Sequence, residues 1–396
     1  MRNSLIIKSL SVVSAGLSIV FLINGCSTSV SGNRKVNAEA VVEGYATLVY
    51  AAYTDALTSA VSMQQAISVF LHNPNDSTQL VAQHAWREAR KWYAQTETFR
   101  FYDGPIDNGV TGVEGLLNAW PLDEAYVDYV AGASSVGIIQ NVATYPEITR
   151  NLLVDLNEKG GEENISCGFH AIEFMLWGQD LDSVDAGKRP STDFIAGNPI
   201  NDRRRKFLEL STSLLVEHLE LVKKAWSPDV HDNYRHSFIA APADESLQKI
   251  LTGLGVMAKV ELAGERMYTA YDNADQEDEQ SCFSDNTSDD LIYNLMGIAN
   301  VYRGSMHRLA GDTLRVVSLS QLLELQHGPV AETMQQQLQK TYQSFVTMPQ
   351  PFDRAIIRPD ARQSVMESIL AVQELGEQFA TIATTLGLTI NVSPTQ

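Results

Sequence analysis

Long helical runs dominate this chain, and nothing in it pairs readily into a sheet. Residues 38–70 form a long Ala- and Val-rich segment that Asn73-Pro74-Asn75-Asp76-Ser77 breaks. Residues 78–101 follow, with Trp86, Ala89, Tyr93 and Glu97 near one helical face. No hairpin dipeptide lies between alternating apolar stretches, so no strand is expected. Residues 103–121 carry Asp-Gly-Pro, Asn-Gly and Trp-Pro and read as an irregular loop. Short helices are expected at 123–129 and 148–158. Residues 182–198 are a second loop, and longer helices are expected at 201–225, 244–271, 287–309, 318–326, 330–346 and 360–386. Long helices joined by polar loops predict an all-α protein made of helical bundles. The division is placed in the second loop, giving an N-terminal helical domain at 38–196 and a C-terminal one at 197–392.

The most informative stretch runs from Ile165 through Gly168, His170 and Glu173 to Trp177 and Asp180. Its apolar body, Ile172, Phe174, Met175, Leu176 and Trp177, has no Pro and reads as a helix. His170 and Glu173 stand three apart, so their side chains project from one face. An imidazole and a carboxylate so placed can grip one metal ion. They can equally form a buried histidine donating to a nearby glutamate.

The flanks favour the first of these readings. Gly168-Phe169-His170-Ala171-Ile172-Glu173, continued to Asp180, closely resembles the signature of the imelysin family. Further blocks match in order: Gln95 to Phe101 with Gly104-Pro105-Ile106-Asp107, Asn118 to Ala125, Gly264-Glu265-Arg266-Met267, and Ser281 to Thr287. The resemblance spans roughly residues 38–390, and several long blocks in register are far more specific than one short motif. It implies two related four-helix-bundle domains and a metallopeptidase class. It also implies a link to bacterial iron uptake, with iron-uptake or redox proteins as partners. The cofactor it implies is a divalent metal, iron or zinc. Within the blocks, Glu97, Asp123, Glu124 and Asp285 are candidates to join His170 and Glu173 around the ion, with Gly168 beside them. Each carboxylate alone is also explained as a surface group or a helix cap. Arg100 and Arg266 either line the site or pair with those carboxylates and hold them ionised.

A zinc peptidase needs three protein ligands and a general base, and its helix motifs carry a second histidine. Phe174 follows Glu173, and no second histidine lies on this helix. Di-iron bundles use two Glu-x-x-His motifs. Glu324-x-x-His327 is the one copy here, so a ferritin-like centre is excluded. No Gly-x-Ser-x-Gly turn, Gly-rich phosphate loop or Cys-x-x-Cys-His haem motif is present.

The net charge of −19 argues against nucleic acid as a partner, since a phosphate backbone needs a basic footprint. Hydrophobic residues make up 44 % of the 396, enough for a sizeable core without staples. Residues 1–25 have a positive start at Arg2 and Lys8, an apolar run and Gly25 before Cys26, a secretory signal rather than a lasting span. Cys26 resembles a bacterial lipoprotein attachment point, with residues 26–37 as a flexible tether to the membrane. Ser27 rather than Asp places the protein at the periplasmic face of the outer membrane, lipid-anchored in the cell envelope.

Lipidation of Cys26 leaves Cys167 and Cys282, in an oxidising compartment where one intramolecular pairing remains. The expectation is a disulfide between them. The alternative is two free thiols packed as small hydrophobes. Three functions follow. The first is metal binding through Gly-x-His-x-x-Glu in iron uptake or homeostasis. The second is a metallopeptidase, and the third a metal-independent module that binds a protein or glycan.

Overall fold

The computed structural model describes residues 36–393. The expected export segment 1–25, Cys26 and residues 27–35 of the tether lie outside them. The described chain is all-α apart from one small hairpin. Helix α1 (Ala38–His72) starts where Asn37 Oδ1 accepts from the Ala40 N–H at 3.1 Å, satisfying one of the free donors of the first turn. It ends at Asn73. Helix α2 (Asp76–Ala94) starts just beyond, with Asn75 and Thr78 capping each other reciprocally. The breaker read from the sequence is therefore a helix stop and a helix start in one.

Helix α2 stops at Ala94 rather than continuing to Phe101. Thr96 Oγ1 donates to Tyr93 O at 2.7 Å, and a 3-10 turn at Glu97–Phe99 redirects the chain. The irregular stretch that follows carries α3 (Glu114–Asn118), α4 (Glu124–Val127), α5 (Gly137–Gln140) and α6 (Arg150–Leu156). It leads to α7 (Gly168–Trp177), the buried helix that bears His170 and Glu173. Then come α8 (Pro199–Ala225), capped by Asn198, α9 (Tyr234–Ala240) and α10 (Ala243–Val256). Helix α10 runs unbroken through a π-helical segment (Met257–Tyr268) into α11 (Thr269–Asn273), where the sequence suggested one regular helix.

Helix α12 (Thr287–Arg303) ends at Gly304, whose φ of 59° lets the chain leave in a left-handed turn. It does not extend to Leu309. Strands β1 (Ser305–His307) and β2 (Thr313–Arg315) pair antiparallel there, contrary to the expectation of no strand. Three residues per strand are too few to show alternation. The turn closes at Gly311 (φ 93°), and Arg308 reaches back to Asp55 of α1 at 2.6 Å. Helices α13 (Leu319–Gln326), α14 (Gly328–Thr347), α15 (Phe352–Ile357) and α16 (Arg362–Thr385) complete the chain.

Helix α1 packs on α2, α8 and α10, while α16 packs on the π segment, α10 and α14. One hydrophobic core runs through the described residues on both sides of the loop at 195–198. Close approach is obligatory at Gly253, where a Cβ would lie 2.9 Å from Arg100 O. No helix among the described residues is long and apolar enough to cross a membrane.

Candidate functional site

Helix α7 is held at both ends by its neighbours. Asn157 Oδ1 accepts from the N–H groups of Ser166 (3.0 Å) and Cys167 (3.3 Å), and its Nδ2 donates to Gly115 O at 2.8 Å. Gly168 opens the helix at φ 89°, and a Cβ there would meet Leu117 O at 2.7 Å. So Gly168 lets α7 close on α3, while supplying no side chain to a site. From α2, Trp86 Nε1 donates to Phe169 O at 3.0 Å. Gln79 and Gln83 both donate to Leu176 O, at 2.9 and 3.0 Å. The Leu176 carbonyl, one of those that a helix end leaves unpaired, is thereby satisfied inside the core.

That rigid mount places His170 and Glu173, exposed 1 % and 0 %. His170 Nδ1 and Glu173 Oε2 are 2.9 Å apart and share a proton. Glu173 Oε1 accepts twice from Ser284, from its N–H at 3.0 Å and its Oγ at 2.6 Å. Ser284 is held in turn by Arg87, which donates to its carbonyl at 2.7 Å. Burial pushes the Glu173 carboxyl up to about 8, against the Ser284 hydrogen bonds that lower it. Burial, with Arg90 nearby, holds the His170 imidazole well below its usual range, so it is neutral. Its Nε2 is buried and has no hydrogen-bond partner in the protein. Buried polar atoms are almost always paired, so an orphan of this kind points to a ligand.

His170 lines a cavity of about 540 Å³, and with Nδ1 engaged by Glu173, Nε2 is the nitrogen left to meet it. Carboxylates line this cavity at Asp123, Glu124, Glu163, Asp180 and the 277–279 turn, and neither lysine nor arginine does. Glu279 is buried, and burial together with Asp353 and Asp285 pushes its carboxyl well up. Glu277, on the exposed rim, is raised to about 7 by partial desolvation and then by Glu124 and Asp180. The wall offers carboxyl groups and no cationic side chain.

The other expected ligands fare differently. Asp123 and Glu124 do line the cavity, but Asp123 Oδ1 also caps α4, accepting from the Ala125 N–H at 2.9 Å. Asp285 sits half-buried in a left-handed turn (φ 54°) outside the cavity wall, pushed up to about 7 by burial and by Asp353 and Asp180. Glu97 is fully engaged elsewhere. Its carboxylate is gripped by Arg266, by Arg100 at 3.3 Å and by Asn118 Nδ2 at 3.1 Å. Burial raises it, yet Arg266, Arg100 and Arg90 outweigh burial and hold it at about 2. Arg266 and Arg100 are thus the partners that keep a buried carboxylate ionised, rather than lining for the cavity. Among the described residues, no three His, Cys, Asp or Glu side chains converge on a point that could hold a metal ion. What fits a metal is one neutral imidazole nitrogen in a wall of oxygen acceptors.

The expected disulfide is not formed: Cys167 and Cys282 are free thiols. Their surroundings differ. Cys167 donates to Asn157 Oδ1 at 3.6 Å beside Glu158, whereas Cys282 lies in the cavity wall under the field of Glu173, Glu277 and Glu279. Ser284, Glu279 and Gln280 carry no sequence signal that marks them for the site. Ser284 sits in a block that bears the resemblance, but a lone serine has no distinguishing chemistry.

The sequence profile of the imelysin family matches residues 49–380. A protein of Synechococcus elongatus named iron-regulated protein A is 25 % identical over 337 residues, covering 83 % of this chain and 81 % of that one. The fold resembles the crystal structure of a Parabacteroides distasonis protein named an iron-regulated protein A precursor. The TM-score is 0.67 at 19 % identity, over 89 % of this chain and 96 % of that one. It also resembles an imelysin-like protein of Psychrobacter arcticum, with a TM-score of 0.64 at 14 % identity over 91 % and 99 %.

Proposed function

The chain belongs to the imelysin family, and on that premise we propose that it is an iron-linked, cation-binding protein of the bacterial envelope whose ligand site is the cavity at His170. One observation carries this reading: the His170 imidazole is neutral, its Nε2 is buried and unpartnered, and the cavity it lines carries carboxyl groups and neither lysine nor arginine. The name of the Synechococcus relative, iron-regulated protein A, supports the iron link. Imidazole together with carboxylate suits ferrous iron as well as zinc. His170 would supply the nitrogen donor, Glu173 would orient the ring, and the cavity carboxylates would balance the charge. An ion bound there supplies a fixed positive centre.

Calorimetric titration of the mature protein with Fe²⁺ under anaerobic conditions tests the reading. His170→Ala is expected to weaken binding at least tenfold; it also lowers the melting temperature, because Glu173 Oε2 loses its buried partner at Nδ1. Equal binding by wild type and variant removes the site.

Anchoring belongs to the same proposal. The tether and Cys26 support a lipid-held position on the periplasmic face of the outer membrane. Cys26→Ala should move it from the membrane fraction to the soluble fraction of fractionated cells. Unchanged membrane association contradicts lipid attachment at Cys26.

A further inference from the structure

We propose that the cavity at His170 also accepts an extended organic cation, a linear polyamine whose ammonium groups are spaced along a methylene chain. This rests on the cavity being the ligand site, as above, and not on iron.

The arrangement of acceptors argues for it. Glu279 Oε1 and Gln280 Oε1, in the turn before α12, are both buried and unpartnered, and both residues line the cavity. Carboxyl groups from other segments, at Asp123 and Glu124, Glu163 and Asp180, line it as well. No three of the described His, Cys, Asp or Glu side chains converge on one point. A metal ion gathers its donors at one centre, where water makes up those the protein does not supply. An ammonium group needs only acceptors within hydrogen-bond reach, and each primary ammonium donates three hydrogen bonds. Acceptors strung along a wall therefore match charge strung along a chain.

Size and sign agree. The cavity measures about 540 Å³. That lies within the range of organic ligand sites, roughly 300–1,000 Å³, whereas one water occupies about 30 Å³. Neither lysine nor arginine lines it, so a bound anion would meet only repulsion. Trp120, Leu122, Leu181 and Phe283 lie in the same wall and offer apolar surface to the methylenes between ammonium groups. Burial and neighbouring carboxylates raise the Glu279 carboxyl, and a cation beside it would favour the ionised form.

Calorimetric titration of the mature full chain with spermidine, at physiological ionic strength, tests the proposal beside Fe²⁺. Wild type should bind spermidine, and Glu279→Gln should weaken it at least tenfold. Glu277→Gln, at the exposed rim where folding is not at stake, should weaken it severalfold. Spermidine binding that is absent, or equal in all three proteins, overturns the inference. Tighter binding of a short oligolysine at the same carboxylates also overturns it, in favour of a basic polypeptide. If spermidine binds and Fe²⁺ does not, this inference stands and the iron reading falls. If Fe²⁺ binds and spermidine does not, the iron reading stands and the polyamine falls.

Discussion

Replacing Arg266 by Ala is expected to lower the unfolding free energy by about 3–5 kcal/mol, the cost of stripping one partner from a buried ion pair. Arg266 is 0 % exposed and meets Glu97, also 0 % exposed. It further donates to Glu261 and Asn294, both at 2.7 Å. Without the guanidinium, Glu97 keeps Asn118 and Arg100 at 3.3 Å, but Arg100 is shared with Glu114 at 2.9 Å and Glu261 at 3.8 Å. The carboxyl must then stay charged in a medium of low dielectric or take up a proton. Chemical denaturation of wild type and variant measures the loss. Adding Glu97→Gln to the Arg266→Ala background removes the stranded charge and should return part of the stability. A loss below about 1 kcal/mol, the scale of an exposed pair, contradicts the account.

The second large effect is on cation affinity as a function of pH. Below about 8 the Glu173 carboxyl holds a proton. It then donates to His170 Nδ1, so the ring's own proton sits on Nε2, the unpartnered nitrogen. Above that pH the carboxylate accepts from Nδ1–H, and Nε2 presents a lone pair. An ion bound to Nε2 must therefore displace one proton at neutral pH. The sign follows: affinity rises with pH up to about 8 and levels off above it. Between pH 6 and pH 8 the expected gain is on the order of fifty-fold, one proton being released per ion. Titrations with a redox-inert ion such as Zn²⁺ at several pH values measure it. Ser284→Ala removes a hydrogen bond that lowers the Glu173 carboxyl, so it should shift this curve to higher pH. A flat profile, or a shift to lower pH, contradicts the arrangement.

Much of the fold was legible because helix ends carry local chemistry. The break at Asn73–Ser77 and the helices expected at 201–225 and 318–326 fall where α1 ends and where α8 and α13 run. The π-helical segment was not legible, because its hydrogen bonds differ from those of an α-helix by one residue of register, without a change of composition. The pairing of Glu261 with Arg266, five apart, is its trace in the side chains. The hairpin after α12 was hidden by its three-residue strands.

The site divides the same way. His170 and Glu173 were readable because an interval of three puts two side chains on one face. Glu97 looked equally suited to a metal, and only the fold reveals that Arg100, Arg266 and Asn118 occupy it. Arg266 is 169 residues from Glu97, a separation at which spacing carries no information. The disulfide was inferred from a count of cysteines, and a count does not say that Cys167 faces Asn157 while Cys282 faces the cavity. The peptidase reading gains little from the geometry. Both Glu173 oxygens are engaged, by His170 and by Ser284, which leaves neither free to draw a proton from water.

The central claim is that His170 Nε2 is the atom that meets the cation. Crystals of the mature protein grown with iron or zinc, with diffraction recorded at the absorption edge of the metal, test it directly. The account predicts an anomalous peak at bonding distance from His170 Nε2, inside the carboxylate-lined cavity. A metal peak elsewhere, with His170 Nε2 uncoordinated, would contradict it.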